Sequence, residues 1–312
     1  MAKSIVVCGP NLDHLPQTKQ LLEENFEVIY INCDAEKLAK FVPKADAYYA
    51  ALHIRITEEL MKKSPNLKAI TTPSTGLDHI DTKAADQLGI AVLSLKDDRD
   101  LLDRIPATAE LTWALILACS RRFCVAVQAA RKGDWARDAF RGHQIAYKTL
   151  GILGCGRLGT MVARYAQAFD MKVIGCDKLK IDIPYVEQVS FDELLGRCDI
   201  LTIHIHLTEE NKNLINRQAF AKIKRGAILI NTSRGAIIDE SAMLEALEDG
   251  RVSAAGLDVI VGEWRDDLAD HPLITYSRTH ENLIITPHVG GVTYESQEMA
   301  FCQAAQKLVE YL

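Results

Sequence analysis

Three side chains able to move a proton or hold an anion stand just past the ends of apolar runs in the second half of this chain. Arg234 follows the run Ala227–Asn231 within Asn231-Thr232-Ser233-Arg234-Gly235. Glu263 comes after Gly256-Leu257-Asp258-Val259, and His288 lies in Thr286-Pro287-His288-Val289-Gly290-Gly291. A guanidinium can grip a carboxylate through two parallel N–H bonds. An imidazole can give or take a proton near neutral pH, and a carboxylate beside it favours the charged ring and fixes its tautomer. Each residue also has a plain structural explanation: a surface ion pair, a solvated loop carboxylate, a turn-capping histidine. The functional reading rests on their joint recurrence after successive strands, because ligands of open α/β sheets collect beyond the carboxyl ends of the strands.

Chemistry of that kind needs a cofactor, and the middle of the chain supplies a place for one. Gly154-Cys155-Gly156-Arg157-Leu158-Gly159 follows an apolar run at 150–153 and opens a helical stretch at 160–169. A further apolar run at 171–176 ends on Asp177. This strand–turn–helix–strand–acid order binds a dinucleotide. The first glycine permits the tight turn, the second lets backbone approach a pyrophosphate, and the third allows close helix–strand packing. A carboxylate at Asp177 accepts from a ribose 2′-hydroxyl and repels a 2′-phosphate, which favours NAD over NADP, although Lys178 and Lys180 soften that repulsion. With a nicotinamide bound, the reaction to expect is hydride transfer to or from a carbonyl carbon. It requires an acid or base for the hydroxyl proton and a cation for the anionic part of the substrate.

Composition narrows the alternatives. The 312 residues suffice for two domains, and 48% hydrophobic with 25% charged residues is a globular composition. A net charge of −6 disfavours nucleic acid or an anionic membrane as partner. No apolar run reaches membrane-spanning length, and the start of the chain does not read as a secretion signal. Eight scattered cysteines, none in a CxxC, fit a reducing cytoplasm without disulfides or structural zinc. His204 and His206 would share a side of a regular strand, but with no third ligand in view a metal is not expected.

The elements that must position these residues form two series of β-rich runs separated by amphipathic stretches. The first has strands at 4–8, 27–31, 46–51, 68–72 and 90–95; the second at 150–153, 172–176, 200–205, 227–231, 254–257 and 283–286. Strands alternating with helices imply parallel βαβ units, so the expectation is α/β with two doubly wound sheets. Between the series, 107–132 reads as one unusually long apolar helix suited to connecting domains or packing on a partner subunit. The final helical stretch, 293–312, has no strand after it and is expected to return to the first sheet.

The run 150–291 resembles the D-isomer-specific 2-hydroxyacid dehydrogenase family. The glycine turn, Ile230-Asn231-Thr232-Ser233-Arg234-Gly235, Gly256-Leu257-Asp258-Val259 and Thr286-Pro287-His288-Val289-Gly290-Gly291 carry the likeness. Ser74-Thr75-Gly76-Leu77-Asp78-His79-Ile80-Asp81 is similar to the family's substrate-side loop. The resemblance implies a Rossmann-type cofactor domain, 98–290, inserted into a flavodoxin-like substrate domain, 1–97 plus 291–312. It implies His288 as proton donor to a 2-keto acid, Glu263 as its partner, and Arg234 as carboxylate ligand and polariser of the keto oxygen. Thr75 and Gly76 would hold the carboxylate from the other domain, with His53 a further substrate contact.

By the same resemblance, Gly154, Gly156, Arg157, Leu158 and Gly159 would face the pyrophosphate, Asp177 the adenosine ribose and Asp258 the nicotinamide carboxamide. Ile205, His206, Thr232, Ser233, Arg234, His288 and Gly290 would line the rest of the NAD site. It further implies a cytoplasmic homodimer acting on a small 2-hydroxy or 2-keto acid. Trp264 after Glu263 and His206 after its strand stand where the family commonly has proline. Tyr147 replaces a commonly small residue, and 96–105 is more charged than usual. Two other readings share this fold: oxidation of a small oxyanion such as formate, where the relative uses an amide beside the histidine, and a dinucleotide-sensing, corepressor-like protein. The short termini leave the latter no appended partner-binding tail.

Overall fold

The computed structural model describes residues 3–312. The chain divides into two compact units, one ending at Ile105 and completed by Val292–Leu312, the other Pro106–Gly291. Residues 98–105 of the charged segment therefore belong to the first unit rather than opening the second.

In the first unit, β1 (Ile5–Cys8), β2 (Glu27–Tyr30), β3 (Ala47–Tyr49), β4 (Ala69–Thr71) and β5 (Ala91–Leu93) form one parallel sheet in the order β2-β1-β3-β4-β5. That is the flavodoxin-like order. Its helices are α1 (Pro16–Asn25), α2 (Ala35–Phe41), α3 (Glu58–Lys62), α4 (Thr82–Gln87) and α5 (Arg99–Leu102). Short polar side chains start several of them: Asp34, Thr57 and Asp81 each accept an amide of the first turn. Val7, Ile31, Tyr48 and Ile70 pack on one face, and Val6, Cys8, Tyr49 and Ala69 on the other. The second face is closed by the terminal helix, Tyr294–Tyr311, whose Ala304, Ala305 and Leu308 are fully buried. Tyr49 donates to the carbonyl of Phe301 at 2.8 Å, and Thr71 to that of Ala304 at 2.8 Å. Asp98 of the charged segment pairs with Lys307 and accepts from Gln303 on the same helix.

The second unit opens with α6 (Ala107–Arg121) and α7 (Phe123–Arg131). The single long helix read from the sequence is in fact two, bent by 68° where Arg122 turns left-handed at φ 49°. The bend is held from a distance: the Arg122 guanidinium donates to the carbonyl of Ala139 and to Glu281, both at 2.6 Å. Among the described residues no single helix is long and apolar enough to cross a membrane.

The strands that follow are β6 (Thr149–Leu153), β7 (Lys172–Cys176), β8 (Val186–Gln188), β9 (Ile200–Ile203), β10 (Ala227–Asn231), β11 (Val252–Leu257) and β12 (Leu283–Ile285). They pair in parallel in the order β12-β11-β10-β9-β6-β7-β8, the Rossmann order with one strand added. The helices after β6 are α8 (Arg157–Ala168), α9 (Phe191–Arg197), α10 (Arg217–Lys222), α11 (Glu240–Glu248) and α12 (Pro272–Ser277); the terminal helix is α13. Alternate residues of a strand face opposite sides. Ile228 and Ile230 thus pack with α6 and α8, while Leu229, Leu201 and Ile203 pack with α9 to α11. The edge strand β8 was not legible beforehand: Val186-Glu187-Gln188 has one apolar residue in three.

Candidate active site

β10, β11 and β12 are neighbours in the sheet, so the three loops carrying Arg234, Glu263 and His288 emerge side by side at its carboxyl edge. Each loop is shaped by a buried polar side chain at its strand's end. Asn231, the last residue of β10, is wholly buried. Its Oδ1 accepts from the amide and hydroxyl of Ser233, at 3.0 and 2.8 Å, and its Nδ2 donates to the carbonyl of Arg234 at 2.9 Å. The chain is thereby folded back so that Arg234, half-buried, leaves the sheet edge with one guanidinium N–H on the Ser233 carbonyl at 2.8 Å. Thr232 is hydrogen-bonded to Thr112 of α6 at 2.9 Å.

Gly235 comes next because nothing larger fits. A Cβ there would lie 2.3 Å from the carbonyl carbon of Ile260 and 2.6 Å from the amide of Val261. The Arg234 loop and the loop leading to Glu263 are therefore in backbone contact.

Asp258 does for the β12 turn what Asn231 does for its own loop. It is 2% exposed. Its Oδ1 accepts from the Thr286 hydroxyl at 2.6 Å and the Val289 amide at 2.8 Å, and its Oδ2 from the Gly290 amide at 2.8 Å. Burial pushes this carboxyl up from its ordinary range, and the three donors together with neighbouring His288 oppose that. The turn holds His288 at φ 54°, a left-handed backbone that a non-glycine residue adopts only where its surroundings impose it. The ring's Nδ1 lies 2.6 Å from Oε1 of Glu263, with both side chains about four-fifths buried (22% and 19% exposed). An ionised carboxylate only accepts, so Nδ1 carries the hydrogen and Nε2 is left as the nitrogen that exchanges a proton.

Two groups that the sequence reading missed hold the Glu263 loop. Glu240, at the start of α11, accepts from the Val261 amide at 2.7 Å, and His271, 3% exposed, has Nε2 3.0 Å from the Val261 carbonyl and 3.4 Å from Glu240. The Leu273 amide donates to Nδ1 of His271 at 3.2 Å, which leaves the hydrogen on Nε2. Burial pushes the Glu240 carboxyl up. His271 is also the N-cap of α12, with Pro272 at its first position. Trp264, also unassigned beforehand, lies over His288 with ring centroids 5.9 Å apart and planes 22° apart.

The glycine turn lies on the other half of the sheet. A Cβ on Gly154 (φ 92°) would meet the His204 carbonyl at 2.7 Å, and one on Gly159 the Gly154 carbonyl at 2.1 Å, so both pack backbone on backbone. At Gly156 a Cβ would meet nothing within 4 Å, and the twelve-residue α8 begins there with no side chain capping its amides. Open space in front of uncapped amides at a helix N-terminus fits a pyrophosphate. Arg157 and Leu158 form the first turn of that helix.

Asp177 accepts from the Cys155 amide at 2.7 Å and the Leu179 amide at 2.9 Å, so it also ties the glycine turn to β7. Lys178 pairs with Glu210 at 3.0 Å. Burial and the charge of Asp177 push the Cys155 thiol up to about 12, which leaves it without thiolate character.

β9 ends at Ile203, so His204 and His206 do not share a strand face: His206 is exposed, Ile205 half-buried, and both ring nitrogens of His204 are buried without a hydrogen-bond partner. Among the described residues no three histidine, cysteine or acidic side chains cluster as metal ligands. A groove of about 710 Å³ at the amino end of β6 and β7, lined by Thr149, Lys172, Tyr185, Arg197 and Lys224, holds none of the candidate residues.

In the first unit the 74–81 loop follows β4. Thr72 bonds Ser74 and buried His79, each at 3.0 Å, and Ser74 donates to the Gly76 carbonyl at 2.7 Å, leaving Thr75 and Gly76 at its partly exposed tip. His53 follows the adjacent strand β3 and is exposed, with partial desolvation lowering the pKa of its imidazole.

Comparison with known proteins points the same way. A family model described as D-isomer specific 2-hydroxyacid dehydrogenase, NAD binding domain, matches residues 113–290. A hydroxypyruvate reductase of Thermotoga maritima is 35% identical over 314 aligned positions, which cover 100% of this chain and 99% of that protein. A D-3-phosphoglycerate dehydrogenase of Methanocaldococcus jannaschii is 35% identical over 94% of this chain, which spans 55% of that longer protein. Among solved structures, a D-lactate dehydrogenase from Aquifex aeolicus, complexed with NAD and lactic acid, matches with a TM-score of 0.89 at 29% identity, covering 98% of this chain and 95% of that one.

Proposed function

Because the chain belongs to the D-isomer-specific 2-hydroxyacid dehydrogenases, we propose that it interconverts a small 2-keto acid and its 2-hydroxy acid, with His288 as proton donor in the direction of reduction. It is an NAD-dependent oxidoreductase acting on CH–OH groups. The observation that most supports the role of His288 is its 2.6 Å contact with Glu263. That contact orients the ring and leaves Nε2 to donate.

A reduced nicotinamide, when bound, supplies hydride to C2 of the keto acid. His288 then gives its Nε2 proton to the keto oxygen as negative charge develops there, and the imidazolium and Arg234 stabilise that charge. Arg234 also takes the substrate carboxylate in a two-pronged grip. Gly154, Gly156, Arg157, Leu158 and Gly159 would hold the pyrophosphate at α8, Asp177 the ribose, and Ile205, His206, Thr232, Ser233 and Gly290 the remaining cofactor surface. Asp258 accepts three bonds from the β12 turn and would keep one of its roughly four acceptor sites for the carboxamide.

Relatives matched over most of their own length are named for hydroxypyruvate and glyoxylate, which puts those two first among substrates. The test is NADH and NADPH oxidation with glyoxylate, pyruvate, hydroxypyruvate, its phosphate and branched-chain 2-keto acids. Turnover with at least one, faster with NADH, is expected. Tight NADH binding without turnover of any would replace this reading with that of a sensor. Arg234→Ala should raise KM and lower kcat together, and a change in neither would remove it from the site.

We also propose a homodimer, in the cytoplasm that eight free cysteines suit. None of the nine residues of α7 is buried and Phe123 is 61% exposed, an apolar face that a second copy would cover. A monomeric mass by sedimentation would overturn this.

A further inference from the structure

The family pattern assigns nothing to Trp264, yet its indole lies closer to parallel with the His288 imidazole than to edge-on: 5.9 Å between centroids, 22° between planes. That is offset stacking, within the range at which an aromatic face attracts a cation. The indole's position is set by its loop. Val261 is pinned at both its amide and its carbonyl by Glu240 and His271. Gly262 then turns left-handed at φ 68°, and the Arg265 amide closes the turn on the Gly262 carbonyl at 3.0 Å. Glu263 and Trp264 are consecutive within that turn, so one short segment presents a carboxylate to the edge of the imidazole and an aromatic face to its plane. Two carboxylates bear on the ring's charge: Glu263 at Nδ1, and Asp258, whose backbone carbonyl receives the His288 amide at 2.9 Å.

We propose that Trp264 is a positioning residue for His288. It restricts rotation of the ring out of the plane that Glu263 alone leaves open, and it favours the imidazolium from which reduction starts. The attraction of an indole face for a partly exposed cation is worth about two- to five-fold in the balance between imidazolium and imidazole. This rests on His288 being the proton donor. Trp264 is 51% exposed, so its replacement removes little from the core.

Two readouts test it. The chain has three tryptophans, and Trp113 is buried against Phe169, so a Trp135→Phe background leaves Trp264 as the environment-sensitive indole. Its emission should fall as pH drops and His288 takes up its proton. That transition should vanish on adding either His288→Asn or Trp264→Phe. In kinetics, Trp264→Ala should lower kcat about five- to ten-fold and move the alkaline fall of kcat to lower pH, with KM for NADH unchanged, and Trp264→Phe should restore most of the loss. An emission transition that survives His288→Asn, or a Trp264→Ala enzyme with the parent kcat and pH profile, would overturn the proposal. Full turnover by His288→Asn would instead overturn the proton-donor reading, and the emission experiment would still report on the stack.

Discussion

The two halves of the seven-stranded sheet end in loops built on opposite principles. Beyond β10, β11 and β12, buried polar side chains saturate the backbone: Asn231 makes three bonds to its own loop, Asp258 three to the next turn, and Glu240 with His271 clamp Val261. Beyond β6, the helix amides are left uncapped and the turn is open at Gly156. An anion needs backbone donors that no side chain caps, which is why this half suits a cofactor's phosphates. Proton transfer needs a few atoms held within a fraction of an ångström, and the bonds that brace these loops suit the role proposed for His288, whose Nδ1 is held by Glu263.

Glycine substitution separates the two principles, and the largest effect is expected where backbone touches backbone. Gly235→Ala forces Ile260 and Val261 to move, which displaces the loops of Arg234 and Glu263 together. It should cost about 1–3 kcal/mol of stability and on the order of 100-fold in kcat. A melting temperature and kcat equal to the parent would show that the two loops are not coupled. Gly156→Ala meets no neighbour, so thermal stability should hold. The added methyl should instead weaken NADH binding about ten-fold by keeping phosphate off the α8 amides, with kcat at saturating NADH preserved. A loss of stability with normal NADH affinity would reverse the assignment.

A smaller effect belongs to His204, at the boundary between the halves. Burial holds its pKa down to about 4, from an ordinary 6.5. The unfolded chain therefore takes up a proton that the native state refuses. Stability is full above about 6.5 and declines as pH falls toward about 4. Between pH 7 and 5 the loss is about 2 kcal/mol. His204→Leu should flatten that decline and leave neutral stability unchanged or higher, since two unpartnered buried nitrogens disappear. Parallel melting curves against pH for parent and variant would contradict this.

The strand positions and their parallel arrangement were legible because β-branched runs alternate with capped amphipathic stretches, and Arg234, Glu263 and His288 were legible by their place after successive strands. What escaped was whatever depends on distant partners. Nothing local breaks the 107–132 pattern, since the bend at Arg122 is held by Ala139 and Glu281. Three acidic or amide residues looked like ligands or ordinary loop polarity, and their backbone roles emerge only in three dimensions: Asn231 and Asp258 brace the loops after β10 and β12, and Asp177 ties the glycine turn. Glu240 and His271 stand 31 residues apart and nothing local links them, though in the fold they hold the amide and carbonyl of Val261. Trp264 could be noticed as a departure from the family pattern, but not that its ring would lie over the imidazole.

The most direct measurement is turnover of the best 2-keto acid by His288→Ala at saturating NADH, with NADH affinity followed in parallel by nucleotide fluorescence. Removing a general acid costs about 10²- to 10⁴-fold. A kcat lowered to that extent with NADH affinity within two-fold of the parent is the expected result; a kcat within two-fold of the parent would mean that the proton comes from elsewhere.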